Sequence, residues 1–128
     1  MYRFVDHTAE LEVELESQTA EGVLVEALRA LAELLGPADG EVVERAVDLS
    51  AGDLPALLAA WLDELLYLAD AESLVPVDAD LALAGSHLTG SVQVRAGQPR
   101  PLVKAVTLHR LRLRPENGAW RGRVVLDV

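Results

Sequence analysis

The chain has 128 residues, 51% of them apolar, with 21 acidic against 11 basic side chains and no cysteine. That length suits one domain with a core of its own, and the missing cysteines exclude a disulfide framework, a thiolate nucleophile and a cysteine metal site. The formal charge of −10 argues against unaided binding of RNA or DNA, which rests on neutralised phosphates.

No apolar run approaches the roughly 18 residues of a membrane span, and the opening Met1-Tyr2-Arg3-Phe4-Val5-Asp6 has no apolar signal-peptide core. A single cytoplasmic domain over residues 1–128, with no membrane partner, is expected. Residues 2–5 suit a short strand. Glu10-Leu11-Glu12-Val13-Glu14-Leu15-Glu16 alternates strictly, the period of a half-buried strand. Leu11, Val13 and Leu15 should face the core and the glutamates water. Thr19 can cap a helix that ends at Gly36-Pro37, with Leu24, Ala27, Leu28 and Leu31 as its apolar stripe. Residues 41–49 read as a strand. Asp53 caps a second helix, and Pro55 falls in its first turn, where a missing N–H costs little. Leu57, Leu58, Trp61, Leu62, Leu65 and Leu68 recur at helical spacing, with Asp63 and Glu64 assigned to solvent.

From Leu74 the period returns to two, giving strands near 74–83, 87–95, 103–114 and 119–127. Pro115-Glu116-Asn117-Gly118 joins the last two as a hairpin. The phase slips inside the third of these, since Val106 and Leu108 share one face while Leu111 and Leu113 share the other. A bulge near His109-Arg110 would reconcile them. The order β-β-α-β-α-β-β-β-β predicts an α+β two-layer sandwich, with a mixed, mainly antiparallel sheet and two main helices.

Charge is unevenly spread. Residues 1–80 carry 19 acids and 3 arginines, whereas residues 81–128 carry 2 acids and 8 basic side chains. One account is self-complementarity, an acidic layer packed beside a basic one. The other is a bipolar surface that steers partners of both signs. Lys104 is the only lysine among the eleven basic residues. An ammonium is a compact point charge whose pKa shifts readily, which a guanidinium is not; chance survival of one lysine is the plainer explanation. Asp127, in the final apolar run, is a poor strand former that shares a face with Arg121 and Arg123. A salt bridge, simple solvation and a role in metal binding or catalysis all remain open for it.

Asp6-His7-Thr8-Ala9-Glu10 gathers two carboxylates, an imidazole and a hydroxyl. Acid–histidine pairs can act as general bases and carboxylate clusters can hold hard cations, yet an Asx-turn loop with an exposed histidine explains the same residues. His7, His87 and His109 stand too far apart in sequence for a zinc pattern. No phosphate-cradling glycine loop is present, and no nucleophile elbow.

Four motifs in order nevertheless resemble one family. Tyr2-Arg3-Phe4-Val5-Asp6-His7-Thr8-Ala9-Glu10 is similar to an opening with an aromatic followed by His-Thr-Ala-Asp. Leu57-Leu58, Trp61-Leu62 and Glu64-Leu65-Leu66 repeat a second-helix signature. Lys104-Ala105-Val106-Thr107-Leu108-His109 matches a Lys-Ala-Val/Ile-Thr-Tyr-His stretch, and Val124-Val125-Leu126-Asp127-Val128 a closing apolar strand ending in Asp. The chain resembles archease, the small protein partner of the RtcB-type 3′-phosphate RNA-splicing ligase. It departs from the pattern in carrying Glu10 for the usual aspartate and Leu108 for the usual tyrosine.

The resemblance implies a protein cofactor and not an independent enzyme. It implies acceleration of the ligase's GTP-dependent guanylation and help with multiple turnover in tRNA splicing, with tRNA met only through the ligase. It implies a divalent cation, calcium, on Glu10 and Asp127, with an oxygen of Val128 added. Lys104 becomes a functional cation near them, and Asp6 and His7 part of the same ligase-activating set. Two rival classes stand beside this one: a small metal-dependent phosphoester hydrolase using Asp6, His7 and Glu10, and a generic adaptor or chaperone whose acids are structural.

Overall fold

A computed structural model describes residues 1–7 and 9–128; Thr8 and the side chain of His7 lie outside the described residues. The elements follow the expected order: β1 (Tyr2–His7), β2 (Glu10–Ser17), α1 (Ala20–Leu35), β3 (Val42–Ser50), α2 (Leu54–Glu72), β4 (Leu74–Ala84), β5 (His87–Ala96), β6 (Ala105–Glu116) and β7 (Ala119–Asp127).

Both helices start where their caps predict. The Gly22 N–H donates to Thr19 Oγ1 at 2.9 Å, and the Ala56 N–H donates to Asp53 Oδ1 at 2.8 Å. Each satisfies one of the donors that a helix start leaves unpaired. Two hairpin turns differ in how well their residues suit them. Asn117 and Gly118 take φ of 52° and 78° between β6 and β7, the left-handed pair that a two-residue turn requires. Ala9 takes φ of 60° between β1 and β2, where a Cβ is a burden.

The α+β class holds, but the strands divide into two sheets and every pairing is antiparallel. One sheet runs β1-β2-β7-β6 and the other β3-β5-β4. Helix α1 packs on β4 and β2 and α2 on β6 and β4, so both helices bridge the sheets. A single hydrophobic cluster lies between these layers. Leu24, Leu28, Leu57, Leu58 and Leu65 are fully buried in it, each burial stabilising by about 1.5–3 kcal/mol. Trp61 is also fully buried, and its Nε1–H donates to the Leu24 carbonyl at 2.8 Å, tying α2 to α1.

The expected phase slip in β6 is present and larger than a single-residue bulge. Thr107 pairs with Val125 and Arg112 with Arg123, so residues 108–111 stand opposite Val124 alone. Arg110 turns the chain with φ of 51°. Leu108 does not follow Val106 inward and is 75% exposed.

Candidate functional site

The strand order decides what meets what. Strand β7, from the end of the sequence, lies inside the four-stranded sheet with β2 on one side and β6 on the other. Glu10 is the direct register partner of Asp127, and Ala105 is its partner on the opposite side. The Lys104 N–H donates to the Asp127 carbonyl at 2.7 Å, and the Val128 N–H to the Ala9 carbonyl at 3.4 Å. The first motif, the Lys104 stretch and the final strand therefore converge at one end of the sheet. Directly paired residues on one face hold their Cβ atoms about 4.5–5.5 Å apart, which brings the Glu10 and Asp127 carboxylates within reach of one ion.

The other candidates are arranged less symmetrically. Asp6 pairs with Leu11 and His7 with Glu10, so by strand alternation Asp6 projects from the face opposite to Glu10. Both still line a cavity of about 400 Å³ at the rim, beside Val128 and the apolar Phe4, Leu34 and Leu102. Lys104 is exposed, and its ammonium makes no hydrogen bond or ion pair with a described residue.

A cation can be tested against this donor set. Two carboxylates stand in register, and neither has a hydrogen bond or ion pair with a described residue. Like charges so placed repel, and a hard cation accepting oxygen ligands would relieve them. Among the described residues no group of three His, Asp or Glu side chains gathers at metal-binding distance. The remaining ligands would have to be main-chain oxygens, such as those of Val128, and water. The donors fit a partly hydrated oxygen-bound cation and not a closed, all-side-chain cage.

One expectation fails on the neighbouring positions. Glu12, assigned to water by alternation, is only 6% exposed. The wide bulge of β6 folds back over the outer face of the sheet and brings Arg110 to 3.3 Å from Glu12. Arg123 approaches it from the side at 3.9 Å. Val125, beside Glu12 in register, is buried for the same reason. The acidic β2 and the basic β7 also pair directly, Arg121 with Glu16 at 2.7 Å, so much of the charge asymmetry is self-complementary. Leu34 and Leu102, the apolar rim of the cavity, had no sequence signal beyond their hydrophobicity.

The sequence and the fold have counterparts among known proteins. The sequence model of the "Archease protein family (MTH1598/TM1083)" matches residues 2–128. The chain belongs to the archease family. Its relatives include the protein archease of Methanothermobacter thermautotrophicus, 33% identical over 99% of this chain and 98% of the relative. That of Pyrobaculum neutrophilum is 32% identical over 99% and 95%. Among solved structures, the solution structure of Methanobacterium thermoautotrophicum protein 1598 superposes with a TM-score of 0.78 at 28% identity, covering 99% of this chain and 98% of that one. An archease of Thermotoga maritima, described as a possible chaperone, shares the fold with a TM-score of 0.72 at 23% identity, covering 100% and 98%. Archeases are generally protein cofactors and not enzymes. No helix of this archease is long and apolar enough to cross a membrane, among the described residues.

Proposed function

We propose that this archease activates an RtcB-type 3′-phosphate RNA ligase, promoting its GTP-dependent guanylation and its multiple turnover in tRNA splicing or RNA repair, in a cytoplasmic setting. The observation that supports this reading is the register of Glu10 with Asp127 beside the main chain of Lys104. It joins three of the family's motifs at one end of one sheet.

In this reading Glu10, Asp127 and an oxygen of Val128 hold a divalent cation, calcium, which when bound supplies positive charge at the rim that meets the ligase. Lys104, with no acidic partner among the described residues, offsets phosphate charge during nucleotidyl transfer, an electrostatic contribution. Asp6 and the apolar rim give the ligase a surface to seat against, and His7 belongs to the same hairpin. The RNA is met through the ligase, consistent with the charge of −10.

The test is a guanylation assay with purified ligase, GTP and this protein. Lys104→Ala and Asp127→Ala should each reduce stimulation at least tenfold, the loss expected for a charge-assisted contact of about 1.5–3 kcal/mol, with the fold intact by circular dichroism. Full stimulation by both variants would falsify the assignment. Multiple turnover of a phosphoester by the protein alone would favour a hydrolase instead.

A further inference from the structure

We infer that the basic end of the outer face of the four-stranded sheet is a binding site for one phosphate group, held between Arg112 and Arg123. This inference does not rest on the ligase reading. It starts from how the charges on that face pair off. Glu12, Glu14, Glu16 and Glu116 are engaged by Arg110, Arg3, Arg121 and Arg114 respectively. Arg112 makes no hydrogen bond or ion pair with a described residue. Among the described residues Arg123 reaches only Glu12, at 3.9 Å, a carboxylate whose other oxygen faces Arg110.

These two left-over guanidiniums are direct register partners on β6 and β7. Like charges directly opposite each other destabilise a sheet, so the pair is held at a cost that an anion would remove. The Arg123 Nε, buried and 3.9 Å from Glu12 Oε2, makes no hydrogen bond with a described residue, although buried donors are nearly always satisfied. Both arginines line a concave space of about 150 Å³, together with Arg121, Glu14 and Glu116. Guanidinium forks match the oxygens of a phosphate and bind them by parallel charge-assisted hydrogen bonds.

The two glutamates in the lining define the ligand further. Their charges are balanced by Arg3 and Arg114, but they would repel the flanking phosphates of an extended strand. The site therefore suits a compact terminal phosphate, that of a mononucleotide or of an RNA end, and not a continuous backbone.

The experiment uses the full chain in phosphate-free buffer. Inorganic phosphate, GMP and a short RNA bearing a 3′-phosphate are titrated in turn, followed by amide chemical shifts and by Tm. A saturable response centred on Arg112, Gly122 and Arg123 is expected. Arg112→Gln should weaken it at least tenfold, the loss of charged hydrogen bonds. Arg45→Gln, on the other sheet and paired with Glu72, should change it less than twofold. Without phosphate, Arg112→Gln should have an equal or higher Tm than the parent, because it relieves repulsion; this also shows that the variant folds. Whichever organic phosphate binds more tightly than the inorganic ion identifies its source. An unsaturable response, or equal weakening by both variants, overturns the site in favour of diffuse charge attraction.

Discussion

Neutralising one acid of the Glu10–Asp127 pair should change stability with opposite sign in the absence and presence of a cation. The perturbation is Asp127→Asn, which keeps the side chain's size. The carboxylates stand in direct register, about 5 Å apart at Cβ. At that distance, in the high dielectric of an exposed rim, two unit charges repel by ~0.8 kcal/mol. A domain of this size unfolds with an entropy near 0.27 kcal/mol/K, so the relief is worth ~3 °C in Tm. In chelator, Asp127→Asn should therefore melt ~3 °C above the parent. Calcium reverses the order. At a hundred times its Kd a bound ion stabilises by about 2.7 kcal/mol, or ~10 °C, and the variant should lose most of that gain. Differential scanning calorimetry with chelator and with calcium measures both arms. Asp39→Asn, away from the pair, controls for net charge. A variant that melts below the parent in chelator, or one stabilised by calcium as strongly as the parent, refutes the repelling pair as a cation site.

Other consequences follow from single contacts. Trp61→Phe removes the buried hydrogen bond that ties α2 to the Leu24 carbonyl of α1 and leaves a void, and should lower unfolding free energy by about 2 kcal/mol in a urea titration. Burial pushes the Glu26 pKa up, but hydrogen bonds from the Met1 amine and Arg29 outweigh it and hold the carboxyl below its ordinary 4.5. Its stabilisation is thus present above pH 4.5 and lost as pH falls through the folded value. Glu26→Gln should melt below the parent at neutral pH, and the gap should close in acid. Ala9→Gly relieves a left-handed alanine at φ of 60° and should raise stability by about 0.5–1 kcal/mol, read from the urea midpoint.

Element order was legible because each boundary has local chemistry: Thr19 and Asp53 at the helix starts, Asn117-Gly118 at a turn, and a two-residue period between. Even the slip in β6 shows as a change of face between Leu108 and Leu111. The division into two sheets was not legible, since alternation says which face of a strand is buried and nothing about its neighbours. For the same reason composition could not bring Glu10 to Asp127; the family motifs suggested it, and only the strand order supplies the register. Glu12 was misjudged because a strand pattern carries no information about what another strand's bulge lays across it. The Arg112–Arg123 pair escaped notice because neither residue is unusual in a strand until its partner is known.

Placing β7 in the middle of its sheet has a consequence for how the molecule is made. Residues 2–17 form a hairpin whose inner edge must wait for residues 119–127, far along the chain, before it finds a neighbour. Closing contacts so remote in sequence is slow, and an unmatched strand edge invites association with other chains while it waits. The glutamates along β2 give that waiting edge a repulsive coat. Without β7 the sheet would have a gap between β2 and β6, so the rim where Glu10 and Asp127 meet comes into being only once these remote segments have paired.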